Sequence, residues 1–273
     1  MNKHQNNLTA IWSATPFPSL LADWRHWLAF VAWLALMFAV QSICGKSAWG
    51  YVAMTVVGVA LLAVTRPWQL YGSKVETGNL TPIPLRHCVI ASRRHNPKLA
   101  FDIFFLAPVA GLAVFAIWVG PETDWVARNF PGLADFYRQW CGYPFGTLAK
   151  PVEPSVYAPE ACGWTLALVR VAGSAFVIAV IEEFFWRGWL YRRLISREVQ
   201  SVPLRQWNWE AFAIMVALFG IEHDRWLVGM AAGAVYGWLM LRSSSLWPPI
   251  VAHAVTNLVL GLYVLGAGRY GFW

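Results

Sequence analysis

Charge is what this sequence lacks most. Only 13% of its 273 residues are Asp, Glu, Lys or Arg, against roughly 25% in soluble domains. So little polar surface cannot coat a globule in water, which excludes an ordinary soluble domain. Cysteine is sparse too: Cys44, Cys88, Cys141 and Cys162 show no CxxC pairing, which argues against a zinc finger or ribbon. Nothing spells HExxH, a Walker loop or a dinucleotide-binding glycine pattern, so zincin chemistry and nucleotide binding have no support. Internal repeats and low-complexity tracts are missing as well. The first 25 residues are polar and contain proline, and no small-residue cleavage site follows the first apolar run. The sequence therefore predicts a retained helix rather than a cleaved signal.

What is present is apolar. Hydrophobic residues make up 58% of the chain, and the mean hydropathy is +0.46. The 18 tryptophans suit a protein whose indole rings anchor at the membrane–water interface. Seven apolar runs approach the ~20 residues that span a bilayer. They cover approximately 27–44, 48–65, 101–120, 163–186, 208–223, 226–241 and 246–266. The fifth and sixth are short, with His223-Asp224-Arg225 between them, which leaves room for an eighth crossing or a re-entrant piece. Continuous rather than alternating apolarity excludes a transmembrane barrel. The expected fold is therefore all-α, a polytopic membrane helical bundle of about seven to eight transmembrane helices. Residues 1–162 read as scaffold helices and an outer loop. Residues 163–273 hold the unusual polar groups, within one integrated membrane domain.

The net charge of +7 sits in loops. The 66–98 loop sets six bases against Glu76, and the 187–206 segment sets five arginines against Glu198. Both are expected on the cytoplasmic side, with affinity for anionic lipid and no nucleic-acid partner. The 121–162 loop is acidic and is expected outside. Alternation then places the N-terminus in the cytoplasm and the protein in an inner or plasma membrane. If the outer compartment is oxidising, Cys141 and Cys162 could pair. Segment 187–200 has a basic face and is expected either to extend the fourth helix or to lie along the headgroups.

Three short patterns carry chemistry. Glu182 and Glu183 close a long apolar run, and a carboxylate there is costly unless it is paired, hydrated or in use. Glu183 and Arg187 are four residues apart, share a helix face and can pair. Glu182, about 100° round the axis, points elsewhere. Next, Phe219 and His223 share a face, with Glu222 and Asp224 expected to be solvated and Glu222 a competing acid. Last, His253 and Asn257 project from one face of the final helix, as two stacked hydrogen-bonding groups. The ridge Gly229, Gly233, Gly237 in the sixth run suits close helix approach, helping to bring the fifth and seventh helices together.

EExxxR, then FxxxH, then HxxxN, on successive apolar runs, resembles the CPBP family. That group includes the type II CAAX prenyl endopeptidases (Rce1-like) and many bacterial intramembrane proteases. EEFFWRGWLYRRL, FGIEH and SSSLWPPIVAHAVTN carry the resemblance, which covers about residues 175–260. The family often has Phe before the Arg, where this chain has Trp186. The resemblance implies a glutamate-dependent intramembrane endopeptidase. Glu182 would act as general base and His223 would orient the water. His253 and Asn257 would donate to the developing oxyanion. Glu183, Arg187 and Phe219 would support them. The expected substrate is a membrane-associated or lipidated peptide or protein, and no cofactor is expected. Zinc held by the two histidines and a glutamate is the metal-dependent alternative. A non-catalytic scaffold that binds peptides is the other. A transporter is disfavoured, because paired repeats and broken helices are not seen.

Overall fold

Each of the seven apolar runs forms a helix in the computed structural model, which describes residues 23–71, 97–142, 146–148 and 155–273. In chain order, α1 is Trp24–Cys44, α2 is Ala48–Thr65 and α3 is Pro97–Glu122. Two short helices follow, α4 (Asp124–Asn129) and α5 (Pro131–Trp140). Then come α6 (Pro159–Ile195), α7 (Trp209–Ile221), α8 (Trp226–Ser243) and α9 (Trp247–Ala267). Among the described residues the only extended pairing is a single bridge between Gly142 and Gly146. The protein is all-helical.

Local chemistry sets the helix ends. The Ser47 hydroxyl accepts from the Gly50 amide at α2, and the Asn208 side chain accepts from the Ala211 amide at α7. Both satisfy amides that the first helical turn leaves unpaired. Pro248 and Pro249 open α9, where a missing N–H costs nothing. Within α6, Gly163 has φ +80°, a conformation that a Cβ would strain, so the first turn is offset from the remainder.

Five helices are long and apolar enough to cross a membrane: α1, α2, α3, α6 and α9. Helix α7 is apolar but has 13 residues, about 20 Å of rise against a core of ~30 Å. No helix lies between α7 and α8, only the four-residue turn 222–225. The protein is thus an integral membrane protein with five candidate spans among the described residues.

The core runs between α6, α7, α8 and α9, with α1 and α3 packed on it. The glycine ridge of α8 faces α7. A Cβ at Gly229 would meet the Gly220 backbone, one at Gly233 the Phe219 ring, and one at Gly237 Phe212 and Met215. The ridge therefore locks α8 to α7, and α9 packs on α8 through other residues. Helices α3 and α9 meet as closely. The Thr256 hydroxyl donates to the Gly111 carbonyl at 2.9 Å, and a Cβ on Gly111 would abut the Ala252 carbonyl and lie 2.9 Å from the Val255 Cβ. Gly111→Ala is expected to weaken the fold by about 1–3 kcal/mol through overpacking. A lower thermal midpoint in detergent checks this; an unchanged midpoint contradicts the contact.

One expectation changes and one alternative is chosen. Cys141 and Cys162 are free thiols: Cys141 is buried beside Tyr137 and Val228, while Cys162 lies at the start of α6. Cys88 and most of the basic 66–98 loop lie outside the described residues. The 187–200 segment does extend the fourth helix, as far as Ile195, but its arginines are not all solvated. Arg192 is buried, donating from Nε to the Val202 carbonyl at 2.8 Å and from Nη1 to the Tyr71 hydroxyl at 3.2 Å.

Candidate active site

Helix α6 carries Glu182 and Glu183 on one ordinary turn, Ala179–Glu183, between two π-helical stretches, Gly173–Ile178 and Phe184–Leu190. Such wide turns re-aim side chains and recur at functional sites. Glu183 and Arg187 are both fully buried, and Arg187 Nη1 donates to Glu183 Oε1 at 2.9 Å. Arg187 Nη2 donates to the Gly233 carbonyl at 3.1 Å, and its guanidinium lies 4.3 Å from the centre of the Phe219 ring. A charge in apolar surroundings needs partners of this kind, although Arg187 Nε and Glu183 Oε2 are left without one.

His253, buried on α9, sits between the two glutamates. Its Nδ1 is 2.9 Å from Glu183 Oε1, and its Nε2 is 3.9 Å from Glu182 Oε2. Glu183 Oε1, which accepts from Arg187, is the acceptor here too, so Nδ1 carries the hydrogen and Nε2 is the atom turned toward Glu182. Tyr236 of α8 stacks on the imidazole at 4.9 Å between ring centres. The Tyr236 hydroxyl donates to Thr256 Oγ1 at 2.7 Å, which ties that ring to α9. The imidazole is held on three sides.

His223 lies at the end of α7. Its Nδ1 is 2.7 Å from the Phe219 carbonyl, which can only accept, so the Nδ1–H donates there. Its Nε2 is left with a free lone pair. The Phe219 ring packs against it at 4.6 Å, as the shared face predicts. Asn257 Nδ2 donates to the Ser174 carbonyl at 3.0 Å, inside the first π-helical stretch. That contact fixes the amide while leaving its second N–H and its oxygen uncommitted.

Glu182, His223, His253 and Asn257 all line one cavity of about 210 Å³. It descends from a rim of Asp224, Arg225, Phe272 and Trp273 to Glu182 on α6. Glu182 is 6% exposed, and its Oε2 has no hydrogen-bond partner. Glu183 does not line the cavity. The sequence separates the two carboxylates by a rotation about the helix, and the structure gives that rotation a meaning: one acid faces the cavity and the other faces Arg187.

Several site residues escape the sequence reading. Glu222, which the sequence offers as a competing acid but one expected to be solvated, has one oxygen buried without a partner. Tyr236 and Thr256 look like ordinary helix residues, and no local pattern marks them. Arg170 also lines the cavity. Its only sequence signal is a lone cation inside an apolar run. Among the described residues, no group of three or more His, Cys, Asp or Glu side chains is arranged to hold a metal ion.

The rim is tied by charge. Arg225 pairs with Glu122 through two hydrogen bonds, at 2.5 and 3.0 Å, and Arg269 pairs with Asp124 at 2.9 Å. These contacts gather the ends of α3, α8 and α9 around one mouth.

Fold and site define a class: an integral membrane protein of helices, with a buried carboxylate–imidazole cluster open to one cavity. Residues 164–259 match the family model described as Type II CAAX prenyl endopeptidase Rce1-like. The match begins just past the Gly163 kink and ends beyond Asn257, so it takes in every helix that supplies the cluster. The family is one of membrane proteases, that is, hydrolases. No curated protein and no solved structure matches the chain.

Proposed function

We propose that this protein is an intramembrane endopeptidase that hydrolyses a peptide bond of a membrane-associated or lipidated substrate by glutamate-activated water. The observation that carries the reading is the convergence of Glu182, His223, His253 and Asn257 on one cavity within the segment that matches a CAAX-type protease family. That family acts on membrane-associated prenylated proteins.

Glu182 is the general base. It takes a proton from a water as the oxygen attacks the scissile carbonyl, then returns it to the leaving amine, so protons balance over the cycle. His223 accepts a hydrogen bond from that water at the free Nε2 lone pair. Asn257 donates its uncommitted N–H to the oxyanion. His253 donates from Nε2 when it carries a second proton, with Glu183 as counter-charge. Donors aimed at a developing oxyanion in a dry site are each worth about 3 kcal/mol. Glu183 and Arg187 hold His253 and α6 in place, and Phe219 seats His223. No metal or other cofactor takes part in this scheme.

We further propose that α7 and α8 complete the crossing set, giving seven passes. The N-terminus is cytoplasmic, and the 121–162 loop and cavity rim face outward. The membrane is an inner or plasma membrane, and the basic 187–206 segment rests against anionic lipid. The working helices are those of 163–273, held by the scaffold of 1–162. Glu182 and His253 then lie toward the cytoplasmic side, below a rim that faces outward.

The test is cleavage of fluorogenic, membrane-anchored peptides by the purified protein in detergent, with and without chelator. Wild type is expected to cleave, chelator to have no effect, and His223→Ala to lower kcat about 100-fold or more. Activity lost to chelator would move the chemistry to a metal. A folded wild type that binds peptides but cleaves none would make the protein a peptide-binding scaffold.

A further inference from the structure

Arg170 is a largely enclosed cation that holds no acid among the described residues. It occupies the outer part of α6, inside a candidate span. Its guanidinium lies 4.5 Å from the Tyr51 ring centre, 4.0 Å from Tyr157 and 5.0 Å from Trp273. Among the described residues no carboxylate pairs with it, and its Nε is buried with no hydrogen-bond partner. By contrast, Arg187, Arg225 and Arg242 each hold an acid: Glu183, Glu122 and Asp102. Aromatic faces support a cation without using its N–H groups. The guanidinium fork is therefore held in place with donors to spare, the arrangement that receives a planar anion.

Its position gives those donors a use. Arg170 lines the catalytic cavity, and with Ser174 and His223 it also lines a second, largely apolar space of about 940 Å³ between α1, α2 and α7. It stands where the two spaces join. Glu182 lies twelve residues further along the same helix, about 18 Å at 1.5 Å per residue. An extended peptide covers that distance in about five or six residues.

We infer that Arg170 is a specificity-determining residue that binds a carboxylate of the substrate, carried within about six residues of the bond cleaved. The inference rests on the peptidase reading of the cavity. The fork takes the carboxylate through two N–H donors while the three rings exclude water. A neutral substrate leaves the guanidinium buried and unpaired, which disfavours it.

The experiment uses peptide pairs that differ in one charge: a C-terminal carboxylate against its carboxamide, and Asp against Asn at positions one to six from the cleaved bond. Binding is measured on the full chain carrying Glu182→Gln, so the readout needs no turnover. kcat/KM for the same pairs is measured on the chain with Glu182 intact. In at least one pair the acid form is expected to bind about 10- to 100-fold tighter, the range of a hydrogen-bonded charge. Arg170→Gln is expected to bring that ratio to about one, with KM carrying the change. If Arg170→Gln fails to fold, Arg170→Lys serves. A point charge replaces the fork, and the ratio should fall at least threefold.

Equal binding of every pair by the Glu182→Gln protein would overturn the inference. So would an acid preference that survives both Arg170 substitutions. A preference erased in wild type by phosphatidylglycerol in nanodiscs, but not by phosphatidylcholine, would assign Arg170 to a lipid headgroup and also overturn it. Arg170-dependent binding without cleavage would sink the peptidase reading and leave the carboxylate site standing. Cleavage without charge preference would do the reverse.

Discussion

Glu182→Gln is expected to reduce peptide cleavage by at least 100-fold and up to about 10,000-fold, the range spanned by general-base catalysis. The amide keeps the shape of the carboxylate and cannot take a proton from water. Glu182 makes no hydrogen bond that the fold depends on, and its Oε2 stands without a partner at the bottom of the cavity. The variant should therefore fold as well as wild type, because an uncharged group is easier to bury in apolar surroundings. The measurement is kcat in detergent together with a thermal midpoint. Lost kcat with an unchanged or higher midpoint is the expected pair of results. Full activity in Glu182→Gln would remove the base from the mechanism and turn attention to Glu222, the acid that lines the adjoining cavity beside His223.

Arg187→Ala is expected to show the opposite pattern, a fold loosened by about 3–5 kcal/mol, because one half of a buried pair is removed and the other is stranded. Arg187 and Glu183 are both fully buried, so water cannot replace the lost partner. The damage should spread. Glu183 also accepts from His253, and Arg187 also donates to the Gly233 carbonyl of α8. Three helices lean on this one guanidinium. Arg187→Lys is expected to rescue little, since an ammonium cannot reach Glu183 and Gly233 at once in the same planar fork. Thermal unfolding in detergent reads the loss. A midpoint within a degree or two of wild type would mean that packing, and not the ion pair, holds α6 to α8 and α9. The contrast between the two neighbours is the sharper test: one glutamate serves stability, the next serves chemistry.

Gly229, Gly233 and Gly237 show what periodicity can and cannot say. Their spacing announces a flat helix face, and a flat face is what α8 presents. The spacing does not say which neighbour meets it, and the nearest partner is α7. Glu222 makes the same point. An acid beside a turn reads as solvated, and only the packing of α7 against the second cavity shows that one of its oxygens is buried. Cys141 and Cys162 share a loop in sequence, yet one is packed under α5 and the other sits at the start of α6.

The sequence by itself determined that the chain is helical and built for a membrane. Scarce charge and continuous apolar runs leave the backbone no other way to satisfy its polar groups in lipid. It also determined the pairing of Glu183 with Arg187 and of Phe219 with His223, since residues four apart on a helix must meet. Tertiary structure decided everything that joins helices distant in sequence. It set His253 between the two glutamates, put Tyr236 against its ring, anchored Asn257 on the widened turn at Ser174, and left Arg170 among three aromatic rings without an acid. Those contacts depend on how far each helix is rotated and shifted against its neighbours. Close packing sets that geometry, and no local pattern of residues encodes it.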